Sequence, residues 1–156
     1  MATLPRIVSS LRGVAIALLL IGGSITPMHT ADAADPATPM ALTKIMQDLG
    51  ADMQGVVGAM AREDWDTVDK LAVRIADHPE PPLTEKVRIL AFIGTDAGRF
   101  RGYDQQAHDA AQGLAQAAQR RDGAATIAAF ARVQTACLGC HQNFRAPFQA
   151  HFHGQR

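Results

Sequence analysis

Cys137 and Cys140 are separated by two residues near the C-terminus, and His141 follows the second of them directly. This C-x-x-C-H spacing is the attachment signature of a c-type haem: the two thiols add across the vinyl groups of one porphyrin, and the imidazole reaches the iron. One turn of helix supplies all three groups. The motif therefore predicts one covalently bound haem c, held by Cys137 and Cys140, with His141 as the proximal iron ligand.

Two other interpretations use the same cysteines. A C-x-x-C pair also occurs in thioredoxin-like redox proteins, which need a βαβ setting, and in zinc sites, which need four ligands. The sequence shows no βαβ pattern, and Cys137 and Cys140 are its only cysteines. Neither alternative requires a histidine directly after the second cysteine, so the motif favours haem.

The composition predicts an all-α protein. A chain of 156 residues is long enough for one domain with one core, and its 15 basic and 15 acidic residues balance, so no nucleic-acid partner is expected. Aromatic residues are few, alanine is abundant, and runs of β-branched residues are missing, which favours closely packed helices. No group of residues resembles a catalytic base or nucleophile, so we do not expect an enzyme.

The first 33 residues are typical of a cleaved signal peptide. Arg6 and Arg12 give a positive start, an apolar run covers residues 14–21, and Ala31 and Ala33 frame a cleavage site after Ala33. The apolar part is about a dozen residues long, whereas a spanning helix needs about 20, so no stable membrane anchor is expected. Residues 34–156 then form a single exported domain in the bacterial periplasm, where thioether bonds account for both cysteines.

Apolar periodicity predicts an antiparallel four-helix bundle with the haem near the C-terminal end of the fourth helix. The predicted helices cover residues 41–60, 65 to about 78, 103–120, and from 124 onward. A short helix over 84–93 lies in the long connection, Gly94, Gly98 and Gly102 mark turns after it, and Pro147 ends or kinks the last helix. The predicted inward face of that helix consists of Ile127, Phe130, Val133, Cys137, His141, Phe144 and Phe148.

The first helix carries Met46, Met53 and Met60 on one face. Methionine commonly fills cores, but one thioether is also a suitable sixth haem ligand. His78 is expected to be solvated at a helix end, and His108 to be a surface or hydrogen-bonded residue, rather than iron ligands. Arg145, one turn after His141, is expected either to pair with a haem propionate or to be solvated.

The whole pattern resembles the class II c-type cytochromes, the group of cytochrome c′ and cytochrome c-556. The family's C-terminal motif followed by x-x-x-R stands here as Cys137 to Arg145. Low-spin c-556 members carry a ligand methionine on the first helix, with glycine four and methionine seven residues later, and Met46, Gly50 and Met53 match that spacing. The resemblance implies Met46 as the sixth iron ligand, with Met53 as the second candidate.

The same resemblance implies a periplasmic one-electron carrier with low-spin iron, which exchanges electrons with redox partner proteins. Its alternative is a high-spin cytochrome c′ with five-coordinate iron that binds NO or CO. Family members are often homodimers through their first two helices. Many also have an arginine one turn before the sixth-ligand position, where this chain has Leu42, with Lys44 as a substitute for contact with a propionate.

Overall fold

The computed structural model describes residues 40–154, and these residues are predominantly helical. The predicted signal peptide, residues 1–33, lies outside the described residues. The helices are α1 (Ala41–Ala61), α2 (Trp65–Ala76), α3 (Leu83–Ile93), α4 (Ala97–Gln119) and α5 (Gly123–His153). Residues 40–154 contain no strand, so the predicted all-α class is confirmed.

Four of the helices, α1, α2, α4 and α5, form the bundle. Its centre takes one fully buried side chain from each: Val56, Val68, Leu114 and Val133. Alanines fill most of the remaining core, which lets the helix backbones approach closely. This arrangement confirms the predicted four-helix bundle.

Cross-helix contacts show that neighbouring helices run antiparallel. Asp52 and Gly55 on α1 meet Arg74 and Leu71 on α2, in reversed order. The pair α2 and α4 and the pair α4 and α5 show the same reversal. The contacts are Asp69 with Gln119, the Ala76 carbonyl with His108, Tyr103 with Asn143, and Gly113 with Arg132.

The helices begin at different kinds of cap. Asp64 and Asp122 accept hydrogen bonds from the backbone N–H groups of Thr67 and Ala125, at 3.1 and 3.0 Å, and so cap α2 and α5. Helix α1 has no cap from its own segment. Instead the Glu85 carboxylate on α3 accepts from the N–H groups of Ala41 and Leu42, at 2.9 and 2.8 Å. This contact ties the long connection to the start of α1.

Three details differ from the sequence prediction. Helix α4 begins at Ala97 rather than at Tyr103, because Gly98 and Gly102 are ordinary helical residues and only Gly94, with φ +59°, makes a turn. Helix α2 ends at Ala76, two residues earlier than predicted. Helix α5 continues past Pro147 to His153. No helix within residues 40–154 has the length and apolar character needed to cross a membrane.

Candidate haem-binding site

The motif residues lie in the second half of α5. Cys137 and Cys140 are half-buried free thiols, and Cys137 packs against the hydrophobic core. The His141 side chain is exposed, and so is Ile127, which lies on the same side of α5. The predicted inward positions of Ile127 and His141 are wrong, since Ile127 is 64% exposed and the His141 side chain is also exposed. The structure therefore partly buries both thiols of the motif and leaves its imidazole accessible to solvent.

Burial sets the protonation of the motif. It raises the pKa of Cys137, and it raises the pKa of Cys140 to about 11, with the Asp104 carboxylate as a smaller contribution. Redox-active C-x-x-C thiols need a lowered pKa, so these values oppose a thioredoxin-like role. Burial, together with the Arg145 cation, lowers the pKa of His141. The imidazole is therefore neutral at pH 7 and has a nitrogen lone pair available for a metal.

Helix α4 holds the motif from one side. A Cβ added at Gly139 would lie 3.0 Å from the Tyr103 ring, so the ring packs directly on this glycine. Asn143 donates to the Gly139 carbonyl at 2.7 Å and to the Tyr103 hydroxyl at 3.0 Å, and Arg99 donates to the Asn143 side-chain carbonyl. The sequence reasoning missed Tyr103, Asn143 and Arg99. The glycine between the two cysteines was the one available sign of a close neighbour.

His141 and Met46 lie on the flanks of α5 and α1 that no neighbouring helix covers. At 100° per residue, His141 is about 160° around α5 from Gly139, which faces α4. Met46 is about 180° around α1 from Gly55, which faces α2. Both of these uncovered flanks also carry an exposed apolar side chain: Val57 on α1 is 51% exposed, and Ile127 on α5 is 64% exposed. These two side chains are remote from the predicted iron ligands: Val57 is eleven residues from Met46 and Ile127 is fourteen from His141, about 16 and 21 Å along the helix axes.

Met46 and the motif belong to the same end of the bundle. Three contacts at this end join neighbouring helices in turn: Asp52 with Arg74, His108 with the Ala76 carbonyl at 2.9 Å, and Asn143 with Tyr103. The Thr43 hydroxyl and the His153 ring, 3.4 Å apart, also join the start of α1 to the end of α5. The fold therefore brings the N-terminal half of α1 and the motif half of α5 to one end.

The three methionines of α1 differ in their surroundings. Met53 and Met60 are half-buried and pack against the hydrophobic core. Met46 is 40% exposed and is not part of that core. A thioether engaged in core packing cannot move to a ligand without opening a cavity, whereas Met46 is free to do so.

The other predicted residues lie around this end of the bundle. Arg145 is exposed, one turn beyond His141. Lys44 pairs with Asp48 on its own helix, and the Leu42 backbone is bound by Glu85. His108 bonds to the Ala76 carbonyl, as expected for a hydrogen-bonded histidine.

His78 is not solvated as predicted. It is half-buried, bonds to the Ile75 carbonyl at 3.0 Å and lies 3.6 Å from the Asp104 carboxylate.

The residues present fit a covalently attached haem. Two thiols and a neutral imidazole occupy one turn of a rigid helix, and the exposed Met46 thioether of α1 lies at the same end of the bundle. Within residues 40–154, no three or more His, Cys, Asp and Glu side chains are grouped so that they could hold a metal ion without such a cofactor.

Comparison with known proteins gives one match. Residues 40–145 match the family model described as Cytochrome C′. The final eleven residues, including the last two turns of α5, lie outside the match. Curated proteins and solved structures gave no significant match. Because the family model covers more than half of the chain, including α1, α2, α4, the part of α5 up to Arg145 and the C-x-x-C-H motif, this protein belongs to the cytochrome c′ family of c-type haem proteins.

Proposed function

We propose that this protein is a periplasmic one-electron carrier with one low-spin haem c, ligated by His141 and Met46. Haem c supplies an iron centre that accepts and returns one electron. Cys137 and Cys140 hold the group through thioethers, and the remaining residues tune and shield it. We propose no enzymatic activity, because the residues near the motif include no catalytic constellation.

The observation that carries this proposal is the position of Met46. It is the methionine of α1 that the core does not engage, it faces away from α2, and it lies at the same end of the bundle as the motif. A thioether ligand raises the reduction potential of a haem relative to a second nitrogen ligand. If His141 and Met46 stay bound to the iron in both oxidation states, the coordination sphere of the iron changes little during electron transfer.

The protein contributes a rigid proximal side. The Tyr103 ring and the Asn143 hydrogen bonds hold the Gly139 backbone, and His141 follows two residues later on the same helix. Arg145 is placed one turn further on, where its cation is available to a propionate. These contacts restrict the position of the imidazole, which is what a carrier with fixed ligation requires.

An absorption spectrum of the purified holoprotein tests the proposal. We expect low-spin spectra in both oxidation states and slow or undetectable binding of CO. Met46→Ala should convert the iron to a high-spin form that binds CO rapidly. Met53→Ala is the matched control, because it removes an equivalent side chain from the same helix and should lower stability without changing the spin state.

Two outcomes would contradict the proposal. A wild-type protein that is high-spin and binds CO rapidly would instead be a gas-binding protein with five-coordinate iron. A Met53→Ala variant that becomes high-spin, with an unchanged Met46→Ala variant, would move the ligand to Met53. Export is tested separately: the periplasmic fraction should contain a protein whose N-terminal sequence begins at Ala34.

A further inference from the structure

The solvent side of α5, opposite the two cysteines of the motif, carries an uncharged surface. Its residues share one outward face of the helix, and all of them are exposed: Ala128, Ala131, Thr135, Leu138, Gln142 and Ala146. We call these six residues the outer face of α5. At 1.5 Å per residue the face is about 27 Å long. Leu138, which lies between the two cysteines, is 56% exposed.

The absence of charge on this surface is unusual for a soluble protein. About a quarter to a third of a typical protein surface consists of charged residues. Helix α5, over its 31 residues, contains no Asp or Glu, and Arg132 and Arg145 are its only Lys or Arg residues. An uncharged patch of this length loses little on desolvation, which is the property of the centre of a protein interface.

Cations surround the outer face. Arg132 and Arg145 lie on α5 itself, and Arg99 lies on the adjoining start of α4; all three are exposed. Arg99 is held beside the motif, with its guanidinium 5.9 Å from the centroids of the Tyr103 and Phe144 rings. The rim of the outer face is therefore positive and partly ordered.

The whole bundle has the same polarity. Residues 41–80, which include α1 and α2, carry eight carboxylates and four cationic side chains, whereas residues 83–154, which include α4 and α5, carry five and eight. The chain is neutral overall, so this separation is an electric dipole rather than a net charge. A dipole of this sense turns the motif side of the protein toward a negatively charged surface during an encounter.

We propose that the outer face of α5 is the docking surface for an acidic redox protein, with Leu138 at the centre of the contact and the arginines as its rim. This inference rests on the proposed electron-carrier function and names the kind of partner for it. A second copy of this chain is a poorer occupant of the same face, because the two positive rims would repel each other. Contact at Leu138 would place the partner across the width of α5 from the cysteines, since Leu138 is about 100° around the helix from Cys137 and about 160° from Cys140.

The test measures electron transfer from reduced flavodoxin, an acidic one-electron protein, by stopped-flow spectroscopy at low ionic strength. The rate constant should fall as salt is added, because opposite charges attract. Ala131→Glu adds a carboxylate to the outer face, and Ala51→Glu makes the same change on the exposed side of α1. We expect a decrease of about tenfold for Ala131→Glu and less than about twofold for Ala51→Glu.

Binding is also measured without electron transfer. In a titration of the ¹⁵N-labelled holoprotein with oxidised flavodoxin, the largest amide shifts should fall on Ala131, Thr135 and Gln142. Equal effects of Ala131→Glu and Ala51→Glu, or shifts centred on α1 and α2, would overturn the proposal. Self-association that Ala131→Glu abolishes would instead assign the face to a second copy. The spin state of each variant is recorded first, so that failure of the electron-carrier proposal is visible independently of docking.

Discussion

Removing the Glu85 carboxylate should loosen the start of α1. Glu85 accepts hydrogen bonds from the first two N–H groups of that helix, at 2.9 and 2.8 Å, and Met40 at the N-cap supplies no side-chain bond. Loss of a helix cap costs about 0.5–2 kcal/mol, and a negative charge at a helix N-terminus adds a further stabilising contribution of about 0.3–1 kcal/mol. Since Glu85 is half-buried, we expect Glu85→Ala to lower the free energy of unfolding by about 1.5 kcal/mol.

Urea denaturation of the holoprotein, followed by far-UV circular dichroism, measures this change. A loss of about 1.5 kcal/mol corresponds to a decrease of about 5 °C in Tm for a domain of this size. Glu85→Gln keeps an acceptor oxygen without the charge and should lose about half as much. Glu80→Ala is the control, because Glu80 forms an exposed pair with Lys86 that contributes less than about 0.5 kcal/mol. If Glu85→Ala were no less stable than Glu80→Ala, the cap would have no energetic role and the reasoning would be refuted.

Two further predictions concern the neighbours of the motif. Gly139→Ala should lower the free energy of unfolding by about 1 kcal/mol, because the new Cβ meets the Tyr103 ring at 3.0 Å. Gly102→Ala, whose new Cβ has nothing within 4 Å, should raise it by about 0.5–1 kcal/mol. Thermal melts that shift in the same direction for both variants would argue against the close contact at Gly139. The Asp104 carboxylate, 3.6 Å from the ring, raises the pKa of His78. Its stabilisation is therefore complete below the unfolded pKa of about 6.5 and is lost as pH rises through the folded pKa. Urea unfolding between about pH 6 and pH 8 should show this decline, and Asp104→Asn should remove it; a slope that survives the substitution would assign the decline to another group.

The sequence predicted the parts of the fold that depend on local pattern. Helix α1 was predicted to within one residue at its C-terminal end, and α5 began one residue before its predicted start. The start of α4 was missed because glycine is ambiguous: Gly98 and Gly102 are helical, while Gly94 alone makes the turn. Nothing local distinguishes these three residues, since the difference is decided by the packing of α4 on α5.

Contacts between distant segments could not be predicted. The continuation of α5 past Pro147 depends on packing of its last turns against α3, where the Phe92 ring stacks on His151 at 4.4 Å and meets Phe152 edge-on at 5.4 Å. The cap by Glu85 spans more than forty residues. At the site, the motif predicted haem attachment at Cys137 and Cys140 and iron ligation by His141. The contacts that Tyr103 and Arg99 of α4 make at the motif could not be predicted, because they depend on how α4 packs against α5.

The central claim is that the Met46 thioether is the sixth iron ligand, and NMR of the ferrous holoprotein tests it most directly. With methionine methyl groups labelled with ¹³C, a methyl group bound to haem iron is shifted far upfield by the porphyrin ring current. We predict one such signal, which Met46→Ala abolishes and Met53→Ala leaves in place. A ferrous spectrum with no upfield methyl signal, or one that disappears only in Met53→Ala, would contradict the account.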